Sequence, residues 1–242
     1  MDSFTTASET YPSVTPNHLS RDDLKIGLQS ALAAILCLGL PAGLYFWVYV
    51  IQRWMPTAQG EILVNFLQAY LVPPVILEML GAFGWGIFLS KISGYRRWWW
   101  LSAATMGGVW IGNFALYHGW LEINQVQDQA LSALSLHTRF VIIVGLNVLC
   151  VTVSTGLLLG LAIMNWRAGL RMAGRTALAS VTAVLLTLII LGEFGIQVGS
   201  GNLAMPKATA AATMAAALAG GVTLGVVFSR FVRQGFSKHS AG

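Results

Sequence analysis

The sequence predicts an all-α polytopic membrane protein, a bundle of six transmembrane helices with short loops and both termini in the cytoplasm. Three observations lead there. Hydrophobic residues make up 56% of the 242-residue chain and charged residues only 10%, where a soluble domain carries about a quarter charged residues. The charges are segregated and leave six apolar stretches. In lipid, an apolar run of about 18 residues or more must satisfy its own backbone as a helix. Lysines and arginines then alternate between rich and poor connections, as a chain that crosses the bilayer repeatedly requires.

A Ser-, Thr- and Pro-rich stretch opens the chain, and residues 1–25 are expected to form a flexible cytoplasmic tail. It lacks the basic region and short apolar core of a signal peptide. The first span covers about 26–51, where Pro41 between Gly39 and Gly43 is expected to kink it. The second, about 62–89, contains Pro73-Pro74 followed by Glu78. The third, about 98–121, opens with Trp98, Trp99 and Trp100 behind Arg96 and Arg97 and closes with Tyr117 and Trp120. These are the aromatic belts of the two membrane surfaces. The connection 122–139, the longest, is expected to be a short amphipathic or irregular external segment. Spans four to six lie at about 140–164, 176–198 and 208–229, and 230–242 is a basic cytoplasmic tail. The six together form one transmembrane domain, 26–229.

Counting cations tests this layout. Arg21, Lys25, Lys91, Arg96, Arg97, Arg167, Arg171, Arg175, Arg230, Arg233 and Lys238 fall on one side, and Arg53, Arg139 and Lys207 on the other. Eleven against three places both ends inside. A five- or seven-span layout would break the alternation. The net charge of +5 therefore reflects topology and contact with anionic lipid, not affinity for nucleic acid. The composition suits a bacterial cytoplasmic (inner) membrane.

Small residues recur four apart inside the spans. Ala104, Gly108 and Gly112 do so in the third, Thr152, Gly156 and Gly160 in the fourth, and Thr213, Ala217, Gly221, Gly225 and Ser229 in the sixth. That spacing keeps them on one helix face and lets backbones approach closely in lipid. Such faces serve either the packing of the six helices on one another or the docking of a partner subunit. Gly108, Gly112, Gly156, Gly160, Ala217, Gly221 and Gly225 are the docking candidates.

Two acidic residues, Glu78 and Glu193, lie within spans. An ionised carboxylate at the bilayer centre costs on the order of 2.5–3.5 kcal/mol, so it needs a partner or a wet cavity. Glu78 sits about sixteen residues into its span, near the midplane, on one face with Pro74, Ala82 and Gly86. It is either a protonated group bonded to a neighbouring helix or an ion or proton site. Toward the outer side, Asn113, His118, Glu122, His137, Asn147, Glu193 and Gln197 are expected to gather. They make the best candidate for a small-molecule site.

No cofactor is expected. A haem between His118 and His137 would call for more histidines inside spans, and His18 and His239 lie in the tails. Cys37 and Cys150 fall in spans without a CxxC pair, and no HxxxH or HExxH spacing suggests a metal. GxSxG, P-loop and dinucleotide fingerprints are absent, which makes catalysis the weakest class.

Two functions remain. The first is a non-catalytic multi-pass subunit of a larger membrane complex, docked through small-residue faces on other membrane subunits. Short loops and small residues throughout the spans favour it. The alternative is a permease-like protein that moves a small solute or ion through the outer polar cavity and Glu78. In topology alone the chain is similar to the substrate-binding membrane subunits of energy-coupling-factor importers. That resemblance implies solute binding and docking but carries no motif.

Overall fold

Two of the described helices set a row of exposed large aliphatic side chains against a buried face rich in small residues. The computed structural model describes residues 21–40, 74–130, 135–197 and 204–239, with the side chains of 74–77, 116–130, 136, 204–206 and 234–239 outside that description. Among the described residues there are six α-helices: α1 (Arg21–Ala34), α2 (Pro74–Ser93), α3 (Trp98–Ala130), α4 (Leu136–Ala162), α5 (Trp166–Glu193) and α6 (Ala204–His239). A π-helical turn, Ile35–Gly39, extends α1. Three stretches, His137–Ala162 in α4, Trp166–Glu193 in α5 and Lys207–Arg233 in α6, are long and apolar enough to cross a membrane.

On α1 and the π-helical turn that extends it, Leu24, Leu28, Leu32 and Leu36 form an exposed row while Ser30, Ala31 and Ala34 are buried. The same inversion holds on α5, where Leu178, Leu186, Ile189 and Ile190 face out and Ala173, Thr176, Ala177 and Ser180 face in. In lipid there would be no reason to hide leucine, and small residues inside allow close helix contact.

Each helix packs on its neighbour in sequence, and α6 returns to α1, which also touches α2. The described helices thus form a closed ring. Its joints are glycines: a Cβ on Gly108 would overlap the Thr155 backbone, one on Gly160 would overlap Gly169, and one on Gly221 would stand 2.7 Å from Ala31 Cα. At Gly81 a side chain would run into the carbonyl of Cys37, inside the π-helical turn. Gly81 is therefore what lets α2 seat against α1.

One end of the ring carries the cations. Tyr95 donates its hydroxyl to the Ala162 carbonyl (3.0 Å), tying the α2–α3 connection to the α4–α5 turn. Arg230 pairs with Asp23 at 2.8 Å and joins the end of α6 to the start of α1. The Arg171 guanidinium lies 5.9 Å over the Phe231 ring. The turn itself is tight, with Met164 at φ 54° and Asn165 accepting from the Ala168 N–H (3.0 Å) as the cap of α5.

Several boundaries differ from those read in the sequence. Of the segment 122–139, expected to be amphipathic or irregular, residues up to Ala130 are helical, as the absence of Gly and Pro from 121–130 allows. The 33 residues of α3 measure about 50 Å, well past a hydrocarbon core of about 30 Å. α5 starts at Trp166 rather than near 176, with Arg167, Arg171 and Arg175 on its exposed side and Ala168, Met172 and Thr176 buried. α6 runs on to His239, through part of the expected tail. The Pro41 kink and the segment 62–73 fall outside the described residues.

Candidate functional site

Glu78 enters the ring from α2, one turn after Pro74 opens that helix. Proline suits this position because the first helical N–H has no partner to lose. The Glu78 carboxylate accepts a hydrogen bond from Asn113 Nδ2 on α3, Nδ2 to Oε2 3.1 Å. Asn113 in turn accepts from Asn147 Nδ2 on α4 at 3.0 Å. The second proton of the Asn113 amide goes to the Val109 carbonyl at 3.1 Å. Three helices therefore share one polar chain.

These residues meet because each lies fifteen positions from the basic end of its helix: 93 − 78, 113 − 98 and 162 − 147. At about 1.5 Å per residue, the layer stands about 22 Å above that end. The acid and the two asparagines, read from sequence as a midplane group and an outer cluster, meet in one hydrogen-bonded chain.

Inside the ring, Glu78 and Asn147 border a central cavity of about 120 Å³ to which every described helix contributes. That volume is comparable to the roughly 150 Å³ apolar cavity that admits benzene in an engineered protein. The wall is mostly small and apolar, including Ala34, Val109, Ala217 and Gly221. It contains no lysine, arginine or histidine among the described residues. Ser180 on this wall donates to the Ala216 carbonyl (3.3 Å), while Thr152 and Thr213 bond to their own helices.

Three further wall residues carry buried polar atoms without a hydrogen-bond partner among the described residues: Trp85 Nε1, Thr155 Oγ1 and Thr176 Oγ1. They are 5%, 4% and 3% exposed. A buried donor left unsatisfied costs about 1–3 kcal/mol, and the three side chains that carry these atoms all line the same void. Ser30 and Ser102, also unpartnered, sit instead at the helix contacts beside Gly225 and Gly86.

The other candidates part company. Glu193 and Gln197 are exposed at the far end of α5 and join neither the asparagines nor the cavity. Gln197 Nε2 reaches the Gly192 carbonyl at 3.4 Å. The reason is geometric: α5 stops at Glu193, and Gly195 (φ +76°) turns the chain away. His137 lies beside Gly192, a Cβ there standing 3.3 Å from His137 Nε2. His118 and Glu122 fall outside the described side chains, and with them the pairing of His118 with His137. The docking candidates Gly108, Gly112, Gly156, Gly160, Ala217, Gly221 and Gly225 are all buried against helices of this same chain.

Trp85 and Thr176 were not legible as site residues, yet a signal existed. Trp85 follows Glu78 by seven positions and so shares its face after two turns. Thr176 and Ser180 are hydroxyls four apart on α5, in line with the buried Val184 and Leu188. Comparison with protein-family models, curated proteins and solved structures gives no match.

Proposed function

We propose that the chain is a permease-like membrane protein that binds a small polar solute or ion in its central cavity, with Glu78 as the recognising group. One observation carries this reading: a carboxylate held by Asn113, which Asn147 holds in turn, borders the same void as three residues whose buried polar atoms have no partner among the described residues. Polar groups at membrane depth are costly and gather where a solute or ion passes. In this reading six spans cross a cytoplasmic membrane with both termini inside, since the cations gather at one end of the ring.

Asn113 and Asn147 serve to aim the carboxyl. An acid with a fixed oxygen and no competing cation on the wall selects for positive charge or for a strong hydrogen-bond donor. The alternative of a docking subunit rested on small-residue faces, and those faces are taken up within the chain. What they assemble is the ring around the cavity.

The test is uptake into proteoliposomes holding the purified full chain, with a panel of small cations, zwitterions and neutral polyols. Transport of one class, abolished by Glu78→Gln, is the expected result. Uptake by the Glu78→Gln protein at the wild-type rate would remove Glu78 from the mechanism, and an inert panel would remove transport.

A further inference from the structure

We infer that the cavity takes a small organic monocation lengthwise, its ammonium at Glu78 and a hydrogen-bond acceptor at the opposite end beside Trp85 and Thr176. The inference rests on the solute-cavity reading above and names the chemistry of the solute.

The two ends of the cavity differ in kind. At the Glu78 layer stand a carboxylate and the Asn147 amide. Trp85 lies eight residues from the basic end of α2 (93 − 85) and Thr176 ten from that of α5 (176 − 166), about 12 and 15 Å above it. The two ends are thus separated by about 7–10 Å along the axis.

At the lower end the unmet groups decide what fits. An indole N–H only donates, so the partner of Trp85 must be an acceptor. The Thr176 hydroxyl either donates to the same atom or accepts from a hydroxyl there. Thr155 adds a third unpartnered oxygen on the wall, set beside Gly108. The rest of the lining is Ala, Val, Gly and Leu, with the hydroxyls of Thr152, Ser180 and Thr213 already bonded to backbone carbonyls, which asks for methylenes rather than further polar atoms. Inorganic cations answer only the upper end and alkylamines leave Trp85 unmet, while diols fail to neutralise the carboxylate. An amino alcohol of a few carbons, or a protonated amine bearing a carbonyl, answers both.

The experiment measures ligand-dependent shifts in thermal unfolding of the purified full chain in detergent, converted to affinities through the concentration dependence. The probes are ethanolamine, aminobutanol, butylamine, butanediol, NaCl and KCl. Aminobutanol is expected to bind roughly tenfold more tightly than either butylamine or butanediol. Trp85→Phe keeps the ring and loses the N–H, and Thr176→Val keeps the shape and loses the hydroxyl. Each should level aminobutanol with butylamine and leave butylamine unchanged. Glu78→Gln should level aminobutanol with butanediol.

Equal binding of aminobutanol and butylamine to the wild-type protein would overturn the acceptor end while leaving a Glu78 cation site standing. A Glu78-dependent shift with NaCl, KCl or butanediol but with no amine would overturn the solute class and keep the cavity reading. No shift with any probe, as for a cavity that holds water alone, would overturn both. The wild-type comparison needs no variant to fold, so the outcome does not hang on any substitution.

Discussion

Asn147 donates its side-chain amide to Asn113 Oδ1 at 3.0 Å, so the residue that holds the Glu78 carboxylate is itself held. The two bonds act in series, and the middle residue uses its oxygen and both amide protons. Removing it strands groups on either side. Asn113→Ala should cost about 2 kcal/mol, more than Asn147→Ala at about 1 kcal/mol. The double variant should cost little more than Asn113→Ala alone, since the second loss has already occurred. Reversible unfolding in mixed micelles measures all three, and strict additivity would mean that the chain of bonds does not act as a unit.

The unpartnered donors on the cavity wall set stability against binding. Thr176 is 3% exposed, and Thr176→Val removes its hydroxyl, which has no partner among the described residues, while conserving shape. Without ligand this variant should be more stable by up to about 1 kcal/mol, and Trp85→Phe should move the same way. A loss of stability in both variants would mean that these atoms are already satisfied.

Ring closure rests on glycines of unequal burden. A Cβ on Gly156 would stand 2.5 Å from Ala173 Cα, whereas one on Gly174 meets nothing within 4 Å. Gly156→Ala should therefore destabilise by about 2 kcal/mol or more as α4 and α5 are pushed apart. Gly174→Ala should stabilise by up to about 1 kcal/mol through helix propensity. Parallel thermal melts separate the two, and equal effects would contradict the close α4–α5 crossing.

How much of this was legible in the sequence depends on what each feature needs. Helix existence followed from local composition, so the helices at 136–162 and 166–193 correspond to expected spans with shifted ends. The start of the helix at 166 shifted because capping by Asn165 outweighs the charge of its first turns, and α3 runs on to Ala130 because neither Gly nor Pro breaks 121–130. The bond from Asn113 to Glu78 crosses 35 positions of sequence, and no periodicity announces it. Equal distance from the basic ends was the readable clue, and it requires accurate helix starts. Glycine stripes were plain as stripes, but which neighbour covers them is a property of the assembled ring.

At the basic end, Asp23 is 6% exposed and binds Arg230 through Nη2 (2.8 Å) and Nε (3.1 Å). Both bonds go to the same carboxylate oxygen, and the Arg230 side chain is 31% exposed, so part of its charge stays in contact with water. Losing Arg230 leaves the buried acid without its guanidinium and should cost more than losing Asp23, whose partner turns toward solvent. Arg230→Gln is expected to destabilise by about 2–3 kcal/mol and Asp23→Asn by about 1 kcal/mol. Because α1 and α6 meet where the ring closes, the weaker joint should show as faster hydrogen exchange along α1 before global unfolding. Exchange that rises evenly over all helices in Arg230→Gln would mean that the pair adds stability without serving as the closing contact.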